Sequence, residues 1–276
     1  MNIGIVGLGL MGGSLGLALK EFENKYTVIG YDHNKKHQKD AINLKLVHRL
    51  ADDFNEIKLC DVIVLTIPVD AIIKTTQKLK DVDKECTIID FGSSKEKIDS
   101  SIPVEIRSNF VTAHPMTGTE KFGPTAAIHG LYSDKVMVVC NQEETAKLQR
   151  ERALEIFDDI KAKVVFMGAK EHDRHAAFIS HMPHAVSYAI ANSVMKQENP
   201  KSITALAGGG FKSMSRIAKS SPNMWEDIFR QNKTNLLDSI DSFNKEMQIC
   251  QNLIENEKWN ELYTWMSQAN RLHDIL

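Results

Sequence analysis

The four cysteines of this chain show no pairing pattern: Cys60, Cys86, Cys140 and Cys250 are widely scattered, with no C-x-x-C. That spacing excludes a thiolate zinc centre and a disulfide framework, and it points to reduced thiols in a cytoplasmic protein. Charge of one sign is not in excess either. With 34 Lys and Arg against 36 Asp and Glu the formal net charge is -2, which gives no electrostatic reason to expect nucleic acid or an anionic membrane as partner. No apolar stretch suggests a membrane span. Strand-like sequence begins at residue 3 with no basic lead and no cleavage site, so no signal peptide is expected. Internal repeats and low-complexity tracts are absent. What remains is 276 residues, 42% hydrophobic and 25% charged, an ordinary globular composition with enough chain for one large core or two smaller ones.

The most informative stretch is the start, where the apolar run Ile3-Gly4-Ile5-Val6 enters Gly7-Leu8-Gly9-Leu10-Met11-Gly12. In a G-x-G-x-x-G turn Gly7 permits the tight bend, Gly9 lets backbone approach a pyrophosphate, and Gly12 lets the next helix pack close to the strand. The phosphates then sit at the positive helix end, against the backbone of Leu10 and Met11. A second strand, residues 27–31, ends at Asp32, about twenty residues past the last glycine, where a carboxylate meets the adenosine ribose. That carboxylate favours NAD over NADP, although Lys35 and Lys36 follow closely.

Short β-branched runs at 2–6, 27–31, 61–66, 86–90, 110–113, 135–140 and 163–166 alternate with helical spacing over 15–22, 34–44, 69–79 and 143–160. This predicts βαβ units on a parallel sheet. After about residue 168 the long segments 169–196, 222–256 and 258–273 are helical. The fold class read from this pattern is α/β: a Rossmann-type dinucleotide-binding domain over 1–168, then an all-helical domain over 169–276. Leu236, Leu237, Ile240, Phe243, Met247, Cys250, Leu253 and Ile254 form an apolar stripe too long for one small domain to cover, which predicts a homodimer. The alternative is a helix lying across its own nucleotide domain. Gly208-Gly209-Gly210 reads as a loop whose glycines allow positive φ or close backbone contact.

Nucleotide-binding sheets bind at the carboxyl ends of their strands. Thr66-Ile67-Pro68, Gly92-Ser93-Ser94-Lys95 and His114-Pro115-Met116-Thr117-Gly118-Thr119-Glu120 all follow strands and are expected to face one crevice. Thr66 and Pro68 then stand beside the cofactor. His114, in a polar loop, is the candidate general base, against a purely structural role. Ser93 suits a substrate hydroxyl or the nicotinamide amide; a helix N-cap near Lys95 is the competing role. Of the histidines in 171–184, His172 and His175 share one helical face while His181 and His184 point roughly opposite, at about 100° per residue, so no four-histidine metal cage follows and no metal is expected. Pro183 is expected to break the helix locally and turn Ser180, His181 and His184 toward a pocket. Arg216 suits a substrate carboxylate, although by sequence position alone a surface arginine on an exposed helix is the commoner reading. Trp225 is either core or site wall.

The segments G-L-G-L-M-G-G-S-L, D-F-G-S-S-K, H-P-M-T-G-T-E, S-H-M-P-H, G-G-G-F-K-S-M-S-R-I-A and P-N-M-W occur in that order. In this the chain resembles the prephenate dehydrogenase family, which includes arogenate dehydrogenases, over nearly its whole length. The resemblance implies oxidative decarboxylation of prephenate to 4-hydroxyphenylpyruvate with NAD, a step of tyrosine biosynthesis. It implies His114 as the acceptor of the ring-hydroxyl proton, Ser93 as the group orienting that hydroxyl, and Arg216 on a substrate carboxylate. His184 matches a substrate-pocket histidine, and Thr119, Glu120, Ser180, His181 and Trp225 look like further pocket positions. Ser213 stands where relatives often carry an acid after Lys212. With no fused mutase or regulatory segment expected, tyrosine would inhibit by competition in the pocket. The rival readings are arogenate or dual-specificity cyclohexadienyl dehydrogenase, a β-hydroxyacid dehydrogenase, and a non-catalytic NAD sensor; the H-P-M-T-G-T-E loop argues against the β-hydroxyacid class.

Overall fold

In the computed structural model, which describes residues 1–197 and 199–275, the chain up to Met167 lays down eight strands. They are β1 (Asn2–Val6), β2 (Thr27–Tyr31), β3 (Arg49–Leu50), β4 (Val62–Leu65), β5 (Thr87–Asp90), β6 (Phe110–Pro115), β7 (Val136–Cys140) and β8 (Lys163–Met167). Their order is β3-β2-β1-β4-β5-β6-β7-β8. From β3 to β6 every pairing is parallel, but β7 runs antiparallel to β6 and carries β8 with it. The all-parallel expectation is corrected there.

The helices threaded between these strands are α1 (Leu10–Leu19), α2 (Lys35–Asn43), α3 (Phe54–Ile57), α4 (Val69–Thr76), α5 (Glu96–Asp99) and α6 (Lys147–Asp159). The central strands are buried on both faces, which is why β4 reads Val-Ile-Val-Leu without alternation. One face packs Ile3, Ile5 and Val28 against Leu15, Leu19 and Phe157; the other packs Ile63 and Ile88 against Ile57, Ile72 and Ile98. Asn34 starts α2 by accepting the backbone N–H of Lys36 and His37. The chain leaves β1 to one side of the sheet and returns at β4 on the other, so a crevice opens between their carboxyl ends.

Beyond Gly168 the chain is helical: α7 (Ala169–Ala176), a π-helical turn over Ala177–His181, α8 (Met182–Met195), α9 (Pro200–Ala205), α10 (Gly209–Ser215), α11 (Pro222–Gln231), α12 (Lys233–Glu255) and α13 (Trp259–Asn270). The π turn sits immediately before Pro183, where the missing N–H and the ring disrupt the i to i−4 ladder. Two sequence readings are corrected. The segment 222–256 is interrupted at Asn232, which has left the helical region at ψ 35°. The three glycines are not a loop: Gly208 precedes α10 while Gly209 and Gly210 form its first turn, and none has positive φ.

The two parts meet where Arg230 of α11 reaches Asp70 of α4 at 2.8 Å, beside a Gln231 contact to the same carboxylate. Along α12, Leu236 and Leu253 are buried, yet Leu237, Met247 and Ile254 remain exposed, as do Trp259, Tyr263 and Met266 of α13. No described helix is long and apolar enough to cross a membrane.

Candidate active site

At the crevice end of β1 the glycine turn is built for a diphosphate. Gly7 has φ +97°, and a Cβ on Gly12 would lie 1.9 Å from the carbonyl oxygen of Gly7, so neither position accepts a side chain. A Cβ on Gly9 would meet nothing within 4 Å, which leaves open space over the first turn of α1, where Leu10 and Met11 begin the helix. Thr66 does not point at that space; its hydroxyl donates to the carbonyls of Gly7 at 2.7 Å or Val6 at 3.0 Å, clamping the turn. Pro68 stands exposed ahead of α4. Asp32 ends β2 buried, one oxygen accepting Leu8 N–H at 2.8 Å and the other Asn34 N–H at 2.8 Å. The carboxylate is thereby fixed beside the turn, and these residues fit a dinucleotide with an unphosphorylated ribose.

Ser93 and His114 are held in register by a buried lysine. Lys95 is fully buried, pairs with Asp90 at the end of β5, and donates to the carbonyl of Ala113 at 2.6 Å. It thus ties the Ser93 loop to the residue before His114. Ser93 is not a helix cap: the N–H groups of Lys95 and Glu96 at the start of α5 are accepted by Asp173, at 2.7 and 3.0 Å, from the other domain. Its hydroxyl is free of that duty.

Behind His114 lies a row of polar groups. His114 Nδ1 meets His172 Nε2 at 2.8 Å, and His172 Nδ1 meets Asp173 Oδ1 at 2.8 Å. Among the described residues Nε2 of His114 has no hydrogen-bond partner, so it is the ring nitrogen left for a ligand. Burial first, then His172, the Lys95 ammonium and His181, holds the His114 pKa well below the ordinary 6.5. The ring is therefore held in its neutral form at physiological pH.

On the helical side, the π turn brings His181 and His184 to Trp225. His184 stacks on the indole with centroids 3.5 Å apart, and His181 meets it edge-on at 6.1 Å. His184 Nδ1 donates to the Ser180 carbonyl at 2.9 Å, so Ser180 contributes backbone here. Burial lowers the His184 pKa, the Ser180 carbonyl opposes that, and the Arg216 guanidinium adds to the lowering. Arg216 is largely exposed and lies 3.8 Å from Glu120, linking the loop after β6 to the helical domain. Thr119 is exposed in that loop and accepts Lys121 N–H. Trp225 is buried, and its Nε1 has no partner among the described residues.

His172, Asp173, Lys95 and Asn232 were not singled out as site residues from sequence. The expected division of histidine faces is corrected: His172 is buried while His175 is exposed against Glu171, because α7 turns Ala169, His172, Asp173 and Ala176 inward. His181 does not lie opposite His172. Both flank Asp173, since Asn232 Nδ2 donates to the Asp173 carbonyl at 2.6 Å and to His181 Nδ1 at 3.1 Å. The extra residue of the π turn reduces the angle between them from about 180° to about 80°. Among the described residues no group of three or more His, Cys, Asp or Glu side chains is arranged to hold a metal.

The nucleotide-binding domain of prephenate dehydrogenase, as a family, matches residues 15–166, and the dimerization domain of prephenate dehydrogenase matches residues 168–268. A prephenate dehydrogenase of Bacillus subtilis is 31% identical over 99% of this chain and 75% of its own length. A cyclohexadienyl dehydrogenase of Zymomonas mobilis is 27% identical over 98% and 94% respectively. Among solved structures, prephenate dehydrogenase from Aquifex aeolicus in complex with hydroxyphenyl propionate and NAD+ has a TM-score of 0.92 and 30% identity over 100% of this chain and 98% of that one. Synechocystis arogenate dehydrogenase has a TM-score of 0.81 and 26% identity over 99% of both chains. With both domain families matched in order across a crevice that joins a dinucleotide turn to a half-buried histidine, the chain belongs to the prephenate dehydrogenase family.

Proposed function

We propose that this protein oxidatively decarboxylates prephenate to 4-hydroxyphenylpyruvate with NAD, as a step of tyrosine biosynthesis in the cytoplasm. The observation that carries the reading is His114 Nε2, a neutral ring nitrogen with no hydrogen-bond partner among the described residues, held by the Lys95 clamp beside the Ser93 loop. Residues 1–168 bind the cofactor and 169–276 supply the substrate wall and the dimer contact.

NAD, when bound, supplies the hydride acceptor, held by Gly7, Gly9, Leu10, Met11, Gly12 and Asp32, with Thr66 and Pro68 flanking. His114 Nε2 accepts the proton of the C4 hydroxyl while Ser93 orients that oxygen, so a C4 carbonyl forms as hydride departs. Loss of the ring carboxylate as CO2 returns its electron pair to the ring, and the stored proton goes back to what is now the phenol oxygen. Aromatisation drives the step. Arg216, tethered to Glu120, holds a substrate carboxylate, and His184 on Trp225 forms the pocket wall with His181, Ser180 and Thr119. Tyrosine, which shares the product's ring and a carboxylate, competes for the same pocket. The exposed apolar side chains of α12 and α13 support a homodimer through the helical domain.

The test is one panel: prephenate or arogenate, each with NAD or NADP, with and without tyrosine, following NADH or NADPH absorbance. The expected result is the highest kcat/KM for prephenate with NAD. Equal or better turnover of arogenate overturns the substrate assignment, and no turnover of either overturns the enzymatic one.

A further inference from the structure

We propose that His172 and Asp173 form a positioning pair that fixes the hydrogen of His114 on Nδ1 and so leaves Nε2 bare as the base. This rests on the reading of His114 as proton acceptor, but it makes a statement about hydrogen positions that is testable without substrate.

The argument starts at the carboxylate. Asp173 Oδ1 accepts the N–H of Lys95 and Oδ2 accepts that of Glu96, and a backbone amide can only donate. Both oxygens are therefore acceptors, and the 2.8 Å contact to His172 Nδ1 requires the hydrogen to sit on that nitrogen. A neutral His172 then offers a lone pair at Nε2. That lone pair faces His114 Nδ1 at 2.8 Å, so His114 donates from Nδ1. One tautomer follows from the next, and the chain of assignments ends with a lone pair on His114 Nε2.

The pair does not act by easing the charged state: His172, Lys95 and His181 all oppose proton uptake at the His114 ring, and Asp90 is occupied by Lys95. Its work is to choose which nitrogen is left bare. Asp173 further ties the pair to the Ser93 loop through α5 and, through Asn232, to His181. Base and substrate wall share one anchor.

The experiment uses full-length protein labelled with 15N-histidine, with long-range 1H–15N correlation at pH 8 and His114→Asn and His172→Gln used for assignment. The expected spectrum shows hydrogen on Nδ1 and a bare Nε2 for both His114 and His172. In His172→Leu, which removes the acceptor, His114 becomes a mixture of tautomers, and kcat with prephenate falls on the order of 10²-fold, the low end of what a positioned base contributes. Gln at 172 retains an acceptor oxygen and recovers at least about tenfold of that loss, the scale seen when the outer partner of a working histidine is kept or removed. KM for prephenate and the affinity for NADH stay within about threefold of wild type in both variants, as expected when only transition-state interactions change. A His114 hydrogen on Nε2, a tautomer unchanged in His172→Leu, or a Gln variant no faster than the Leu variant overturns the proposal. Wild-type protein inactive on prephenate would instead strike the proposed function, and the spectrum alone would then decide the tautomer.

Discussion

His181 makes the fold sensitive to acid in a way that a single substitution isolates. Its ring is 1% exposed, and Nδ1 accepts a hydrogen from Asn232, whose other amide hydrogen serves the Asp173 carbonyl. Protonation at Nδ1 would set N–H against N–H and strand the amide. Burial accordingly lowers the His181 pKa from 6.5 to about 4, with the nearby Asp173 carboxylate opposing and His172 and His184 adding to the lowering. Above pH 6.5 the side chain is neutral folded or unfolded, and its full contribution is present. Below 6.5 the unfolded chain takes up a proton that the folded chain refuses until about pH 4, so stability falls as pH falls. The slope is about 1.4 kcal/mol per pH unit, and the total over the window is about 3 kcal/mol. His114, whose pKa is also lowered, acts in the same direction, so the wild-type curve alone does not isolate His181. In His181→Gln an amide oxygen still receives the Asn232 hydrogen but nothing titrates. Urea unfolding of both proteins at one protein concentration, from pH 7.5 to 4.5, should show wild type losing its lead over the variant by about 1.4 kcal/mol per unit below 6.5. Parallel curves across that range would refute the reasoning.

His114→Asn should lower kcat/KM for prephenate by about 10²–10⁴ with NADH affinity within about threefold, measured by steady-state kinetics and fluorescence titration. In wild type, kcat/KM should be flat above pH 6.5 and fall only at lower pH, because the neutral ring is the active form and its pKa is lowered; a limb centred above 6.5 would remove His114 as base. Gly12→Ala should abolish measurable NADH binding and lower the melting temperature, since its Cβ would lie 1.9 Å from the Gly7 oxygen and 2.5 Å from the Thr66 hydroxyl. Arg216→Lys should raise KM for prephenate about tenfold or more, from the loss of a charge-assisted hydrogen bond. Because the side chain is mostly exposed, the melting temperature should stay within about 1 °C of wild type, the scale of a surface substitution.

Seven of the eight strands were legible as apolar or β-branched runs, the central ones because a strand covered on both faces has no polar side to disguise it. Arg49–Leu50 was not, since two residues carry no period. The reversal at β7 left no trace because the direction of a strand is decided by its connection, not by its composition. The glycine turn, Asp32, Ser93 and His114 were readable because each sits where a strand ends. His172 and Asp173 were not: on α7 they look like any inward pair, and the cap Asp173 provides to Glu96 joins residues 77 positions apart. Capping signals are read over three or four residues, and this one has none. Ser180 falls within the helix break, but the atom in contact with His184 is a carbonyl, which residue identity does not reveal.

The π turn over Ala177–His181 governs which changes this chain can absorb there. It works as a phase setter: the five residues there decide the angular offset between everything before them and everything after. Exchanging a solvent-facing residue such as Ile179 leaves that offset alone, and so does deleting it, because an ordinary helix one residue shorter keeps the same offset; rewinding the turn to ordinary helix with every residue kept would swing His181 and His184 by about 100° relative to His172. The pocket therefore depends on the winding of these five residues, and a change that relaxes the turn to regular helix should disrupt it while exchanges of the outward-facing side chain at 179 should not.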